Sequence, residues 1–391
     1  MTAILHIVGA GLSGLATAVA ASQTGHKVRL YEAAGHAGGR CRSFHDPVLD
    51  RVIDNGAHLV LGVNRNALAF ATAIGGIQAM DALPAHIAFA HLRQGWRRTV
   101  TPRHMPVSLA EALRACRPWI GQSVTVAEHL GHRQGFADFW QPLCLAILNT
   151  APQHASAQLF ARVLRTILLA GKDGLRGYAF PHGLSAALID PALALLRRNG
   201  GEIHFHHRLT AISQSKLTFT PNDIPLTAAD RVVLALPAWV AADFVPQQIQ
   251  LPTETIANVH YRLASAPDIP SPLGLLGGVG QWLFVRDDVA SVTISAAIAA
   301  PDPVALWAEI APLLGQEPPI PPHRVVWEKR ATLSHRPHVL NHRPGTLSGL
   351  EGVFLAGDWL ASPWPCTIES AISSGLMAAR AALGRDDLRF S

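Results

Sequence analysis

The chain opens with Ile4 to Val8, a short unbroken apolar run of the kind shown by a strand buried on both faces. Leu15 to Ala21 then reads as a packed helix, Gly25 closes it, and His26 to Glu32 reads as a second strand. From about residue 61 to 187 the rhythm changes. Asn66 to Ile74 and Ser108 to Ala115 read as helices, the latter opened by the capping-box pair Ser108 and Glu111. Phe136 to Leu148 and Leu159 to Leu169 are apolar at helical spacing, as core packing or as the walls of a greasy pocket. Leu184 to Arg198 is a further helix, stopped by Asn199-Gly200-Gly201. Glu202 to Phe205, Leu209 to Ile212 and Asp230 to Leu236 then read as strands.

Between about 241 and 349 prolines punctuate β-like runs, among them Trp282 to Val285, Ser291 to Ala297 and Val325 to Thr332. These predict an antiparallel sheet. Gly352 to Asp358 returns to the buried-strand pattern, and Thr367-Ile368-Glu369-Ser370 opens a last helix. The pattern as a whole predicts an α/β fold. A Rossmann-like nucleotide domain would be assembled from 1–60, 188–240 and 350–391. A substrate domain of antiparallel sheet plus helices would fill 61–187 and 241–349.

The glycines supply the first chemistry. Gly9, Gly11 and Gly14 follow the opening strand at G-x-G-x-x-G spacing: one for the tight turn, one for close approach of a pyrophosphate, one for helix–strand packing. The N-terminus of the helix that follows offers free N–H groups and the positive end of its dipole to the phosphates. Glu32 sits roughly 20 residues on, where an acid bonding the ribose is expected. Gly38-Gly39-Arg40 adds a second glycine turn with a guanidinium able to fork onto phosphate. Asp54-Asn55-Gly56-Ala57-His58 reads either as a hairpin turn or as a loop returning to the cofactor. Near the other end, Gly357-Asp358 closes a strand and Thr367 caps a helix, so Asp358 is expected to reach a cofactor hydroxyl or pyrophosphate.

Composition narrows the classes. Of 391 residues, 49% are hydrophobic and only 15% charged, with mean hydropathy +0.21. No run reaches the ~20 apolar residues of a spanning helix, and the glycine-interrupted start does not read as a signal peptide. The net charge of +5 is spread without a basic run, which disfavours nucleic acid. Cys41, Cys116, Cys144 and Cys366 are far apart with no metal spacing, so no metal is expected and the thiols read as reduced and cytoplasmic.

Gly9-x-Gly11-x-x-Gly14 with Glu32 and Gly38-Gly39-Arg40, the strand Ala229 to Ala235, and Leu355-Ala356-Gly357-Asp358 together resemble the FAD-dependent amine oxidase and carotenoid desaturase superfamily. Three further stretches are similar to its branch of squalene-associated desaturase-like enzymes, the hydroxysqualene dehydroxylases. They are Asp54-Asn55-Gly56-x-His58, Glu328-Lys329-Arg330-Ala331-Thr332, and Asp358-Trp359 followed by Thr367-Ile368-Glu369-Ser370. The loop Leu360 to Cys366 and Ala57 depart from that branch's pattern.

The resemblance implies FAD in a glutathione-reductase-like domain. Gly9, Gly11, Leu12, Ser13, Gly14, Glu32, Gly38, Gly39, Arg40, Asn55, Gly56, Gly357, Asp358, Thr367 and Ile368 would hold it. It implies removal of the hydroxyl of hydroxysqualene, a C30 isoprenoid, by a reduced flavin, giving squalene for hopanoid synthesis. An electron donor must then reload the flavin, and a peripheral contact with the cytoplasmic membrane is expected. Asp54, His58 and Glu369 are the candidates to protonate the leaving hydroxyl. The alternatives are a carotenoid-type desaturase, an amine oxidase with Lys329 over the flavin, and a prenyl-binding escort without catalysis.

Overall fold

The structure, a computed structural model, describes residues 3–101, 106–133, 135–247 and 249–390. Its opening strand β1 (Ile4–Val8) leads into helix α1 (Leu12–Ser22) and strand β2 (Lys27–Tyr31). With β3 (Glu202–His204), β4 (Arg231–Leu234) and β5 (Val353–Leu355) they form a five-stranded parallel sheet in the order β3-β2-β1-β4-β5. Its strands are apolar along their length because both faces are covered. On one face lie α1 and the C-terminal helix; on the other, Val8 and Tyr31 meet a three-stranded antiparallel sheet through Leu209, Leu217 and Phe219. Leu209 to Ile212 therefore belongs to this second layer, beside the nucleotide sheet and not within it.

Helix α2 (Arg65–Ala73) follows the expected pattern, and α3 (Ile368–Leu383) packs tightly on α1. A Cβ on Gly375 would stand 2.1 Å from the Ser13 carbonyl oxygen, so only glycine allows the two backbones so close. The capping box at Ser108 forms in both directions, as the spacing predicted.

The second large sheet differs from expectation. Its seven strands run 323–333, 253–262, 289–295, 282–286, 273–276, 87–91 and 97–100. It is mixed and not antiparallel, because Leu273–Leu276 pairs in parallel with Ile87–His91. That partner comes from far earlier in the chain, and a parallel pair needs such a long connection. Strict alternation then divides the faces. Leu283, Val292, Ile294, Ala257 and Val259 pack under the helix Pro303–Ile310, while Trp282, Phe284, Thr293, Ser295, Ile256 and Asn258 face a cavity. Helices Gln141–Leu148 and Ala157–Leu169 close that cavity from the other side.

Candidate cofactor and substrate cavity

One continuous cavity of about 1190 Å³ runs from the glycine loop to these two helices. It exceeds the roughly 300–1,000 Å³ of pockets built for one small ligand, leaving room for a cofactor and a substrate together.

At its first end the three glycines act for three separate reasons. Gly9 has φ +104°, donates its N–H to the Tyr31 carbonyl at 2.7 Å, and leaves no room for a Cβ, which would lie 2.4 Å from the Ala235 oxygen. Gly14 presses on Gly9, its Cβ position 1.9 Å from the Gly9 oxygen. A Cβ on Gly11 would meet nothing within 4 Å, so the protein itself does not need glycine there. Its bareness serves what approaches from the cavity. No side chain caps α1, and the first N–H groups of that helix, at Leu12 and Ser13, lack intrahelical partners on the cavity wall. Those orphaned donors, with the room above Gly11, fit a dinucleotide pyrophosphate.

Glu32 closes the loop from the side, accepting from Ala10 N–H at 2.9 Å and Ala34 N–H at 2.8 Å while lining the cavity. Gly38 and Gly39, both at positive φ, bring the second turn alongside, where Gly38 pairs with Gly11. Arg40 is placed differently from its expected role as a phosphate fork. Its guanidinium donates to Asp358 Oδ1 at 2.6 Å and to the Ala331 carbonyl at 2.5 Å, joining the two chain ends to the seven-stranded sheet. Burial opposes its charge, but the Asp358 carboxylate outweighs this and holds its pKa above the ordinary value.

Asp358 is fixed from behind by Arg343, which donates to the carbonyls of Asp358, Trp359 and Trp364 and so pins the loop after Gly357. Thr367 caps α3, and Thr367 and Ile368 stand at the cavity with the helix N-terminus. Asn55 and Gly56 line the same end, where Asn55 Nδ2 reaches the Arg40 carbonyl at 3.3 Å. Asp54-Asn55-Gly56 is no hairpin turn: the turn of that hairpin falls between Phe44–Asp46 and Arg51–Ile53.

Of the three expected proton donors, two have other employment. The Asp54 carboxylate accepts from Ser43 Oγ at 2.5 Å, Leu184 N–H at 3.1 Å and Arg286 Nη1 at 2.6 Å, and it does not line the cavity. It braces a loop against the seven-stranded sheet. Glu369 is buried and caps α2, accepting from the N–H groups of Asn66 and Ala67 and from Asn66 Nδ2. Their sequence positions placed both near the flavin motifs, but strand register and a helix end claim their oxygens. His58 lines the cavity with its side chain accessible, and desolvation lowers its pKa from the ordinary value.

Other polar groups stand on the wall that were not among the expected site residues. Asn258, buried, accepts from Thr293 Oγ1 at 2.8 Å; Asn149 donates to Thr332 Oγ1 at 2.9 Å and accepts from Ala296 N–H at 2.7 Å. His335 accepts from Cys366 N–H through Nε2 at 2.9 Å, so Nδ1 is the protonated nitrogen and donates to the Leu148 carbonyl at 2.5 Å. Burial holds this imidazole at about 4, neutral near pH 7. Glu328 stands at a bulge where Lys329, Arg330 and Ala331 lie opposite the single residue Thr255. Glu328, in register opposite Ile256, faces the cavity with it, while Lys329 lies over the Trp327 ring at 5.3 Å and Arg330 over Trp239 at 4.8 Å. Polar residues at alternate positions of otherwise apolar strands were the available signal. Cys41 and Cys366 also border the cavity, but burial pushes the Cys366 thiol up to about 12 and Cys41 higher still, so both stay protonated.

The far end is apolar: Leu143, Ile147, Val163, Ile167 and Leu175 face Ile87, Trp282 and Phe284 across it.

A family model described as flavin containing amine oxidoreductase matches residues 12–266 and 306–383. Hydroxysqualene dehydroxylase of Sinorhizobium fredii is 34% identical over 409 residues, covering 97% of this chain and 98% of the relative. The protein of that name from Zymomonas mobilis is 34% identical over 411 residues, covering 97% and 99%. Among solved structures, cyclohexylamine oxidase from Brevibacterium oxydans superposes with TM-score 0.73 at 19% identity, covering 98% of this chain and 99% of the other. Wild-type putrescine oxidase bound to putrescine superposes with TM-score 0.70 at 15% identity, covering 98% and 100%. At those identities the structures share the fold alone.

Proposed function

The chain belongs to the family of flavin containing amine oxidoreductases, and from that premise we propose that it removes the hydroxyl of hydroxysqualene reductively, using FAD. The observation that carries this reading is the wall opposite the cofactor end. Its aliphatic and aromatic lining suits a long isoprenoid. Two named relatives at 34% identity support the same substrate.

The residues that would hold FAD are those at the glycine end. The N–H groups of Leu12 and Ser13 would take its pyrophosphate, Glu32 its ribose, and Asp358 with the α3 N-terminus its remaining polar groups. Bound there, FAD supplies hydride chemistry. This chain's own residues must supply the proton that lets the hydroxyl leave as water, and must keep bulk water from the developing cation. Glu328 is the carboxyl we assign to that proton: it borders the cavity, and on the protein side its Oε1 accepts only a long hydrogen bond, from the nearby Arg330 N–H at 3.3 Å. His58, neutral, donates or accepts a hydrogen bond at the same oxygen. Leu148, Ile147 and the aromatic pair Trp282 and Phe284 exclude solvent.

Lys329 stacks on Trp327 and is not among the lining residues, which weighs against the amine oxidase alternative. A desaturase of the carotenoid type would use the same apolar wall with hydride moving the other way. Anaerobic incubation of dithionite-reduced holoenzyme with hydroxysqualene separates the readings. Squalene should form as the flavin reoxidises; no squalene, with bleaching of the oxidised enzyme by a polyene precursor, would favour the desaturase. A substrate this apolar resides in a bilayer, so the enzyme is proposed to work as a peripheral protein. Among the described residues no helix is long and apolar enough to cross a membrane.

A further inference from the structure

The helix Leu109–Ala115 is amphipathic in an unusual direction. Ala112 and Ala115 pack inward, while Leu109, Leu113 and the following Trp119 stand 75%, 65% and 90% exposed. Leu109 and Leu113 are one turn apart and share a face. Beside them lies a surface depression bordered by Leu113, Arg114, Arg117, His132 and Arg133, with Ser108 and Glu111 at its edge. Among the described residues none of these three arginines is in an ion pair. The Nε atoms of Arg114 and Arg133 are buried without a hydrogen-bond partner. Glu111, the one carboxylate at the rim, is turned back through Oε2 onto the Ser108 N–H and hydroxyl in the capping box, its Oε1 buried without a hydrogen-bond partner.

We propose that this face, Leu109, Leu113 and Trp119 with the cationic rim of Arg114, Arg117 and Arg133, is a docking surface for an anionic phospholipid bilayer. The chemistry of the two parts matches the two layers of such a surface. Apolar side chains and an indole enter the acyl boundary, and guanidinium groups meet phosphates. A second copy of the chain is a poorer occupant, since a two-fold contact would set this arginine rim against itself. The place in the fold gives docking a purpose, in a step that rests on the isoprenoid reading above. The same helix packs through Ala115 on helix Ala157–Leu169, whose Val163 and Ile167 wall the apolar end of the cavity. Docking sets that end of the cavity toward the bilayer.

Flotation of the FAD-loaded protein with vesicles tests this. The probes are phosphatidylcholine alone and an equal mixture of phosphatidylcholine and phosphatidylglycerol. The protein should float with the mixed vesicles, weakly with the neutral ones, and lose the difference at high salt. Arg117→Gln should weaken partition about fivefold, and Trp119→Ser with Leu113→Ser on the order of a hundredfold. Both variants should keep the flavin spectrum and the activity on detergent-dispersed substrate, because these side chains already stand in water. Wild-type levels of flotation in both variants, or a wild-type protein left unfloated by either vesicle, would overturn the proposal. So would loss of a dimer, read by light scattering, in place of loss of flotation. A protein that floats through this face yet forms no squalene would keep the surface and sink the substrate reading. Squalene formed in detergent by a protein whose variants float unchanged would do the reverse.

Discussion

The two ends of the cavity are built in different ways. The cofactor end is made of backbone: glycines at fixed spacing, a helix N-terminus, and turns that fall within the first forty residues, closed by Asp358. The far end is made of side chains contributed by strands and helices separated by long stretches of sequence, and register alone decides which of them face inward. The first arrangement leaves little freedom to substitute, because Gly9 and Gly14 answer a contact or a dihedral of the protein and Gly11 the approach of the cofactor. The second tolerates exchange so long as polarity and volume persist. Cofactor identity is thus carried by local geometry and substrate identity by a distributed surface.

The sharpest way to break the contrast is within the glycine loop itself. Gly14→Val puts methyl groups into the Gly9 carbonyl, 1.9 Å from the Cβ position, and should prevent a folded nucleotide domain. Gly11→Val sets its Cβ where no protein atom lies within 4 Å, so the chain should fold and melt nearly as before yet purify without the yellow of flavin. Thermal melting and absorption spectra read the two effects apart. If both variants fail to fold, Gly11 is structural and the phosphate reading of that position is wrong.

Acid should strain the side-chain-built half more than the backbone-built half. His6 lies in β1, whereas His260 is in the seven-stranded sheet and His335 joins that sheet to the cofactor loop; burial lowers each to about 4 from 6.5. A histidine depressed in the fold contributes stability that is present above pH 6.5 and is lost as pH falls toward 4, because the unfolded chain takes up the proton first. Each forfeits on the order of 3 kcal/mol over that interval. Melting temperature should therefore drop between pH 7 and pH 5, with amides of 253–262 and 323–333 exchanging sooner than those of 4–8. A flat melting curve across that window would mean the three rings titrate normally.

The junction between the halves comes next in size. Arg40→Met leaves the buried Asp358 carboxylate without its ion-pair partner and cuts the link to Ala331, which should cost about 3 kcal/mol and loosen FAD. Substitution with lysine should restore part of the stability but not the second bond. This junction also marks where legibility ended. The five-stranded sheet, its helices and the glycine loop could be read from spacing, because turn chemistry is local. That Arg40 would bind Asp358 and a strand carbonyl could not, since nothing near it in sequence names a partner three hundred residues away. For the same reason Asp54 and Glu369 looked like acids from their neighbours, while their oxygens were claimed by Arg286 and by the α2 N-terminus. The parallel pairing that mixes the second sheet was hidden for a similar reason, its partner strand 87–91 lying inside a stretch whose stronger signals were helical.

The smallest effect is expected where the wall is most redundant. Ile147→Ala and Ile167→Ala each remove apolar surface from the far end without touching a hydrogen bond or the glycine loop. Both side chains are only half buried against the protein, so the loss of fold stability should stay near 1 kcal/mol, below the cost of truncating a fully packed core residue. Flavin content should be unchanged. What should move is the KM for the isoprenoid, upward by up to about tenfold for each change, because only contacts made in the bound complex are lost and the reacting carbon is elsewhere. A fall in kcat at constant KM would instead mean that these side chains shape the reacting end, and that the division between a cofactor end and a substrate end is drawn in the wrong place.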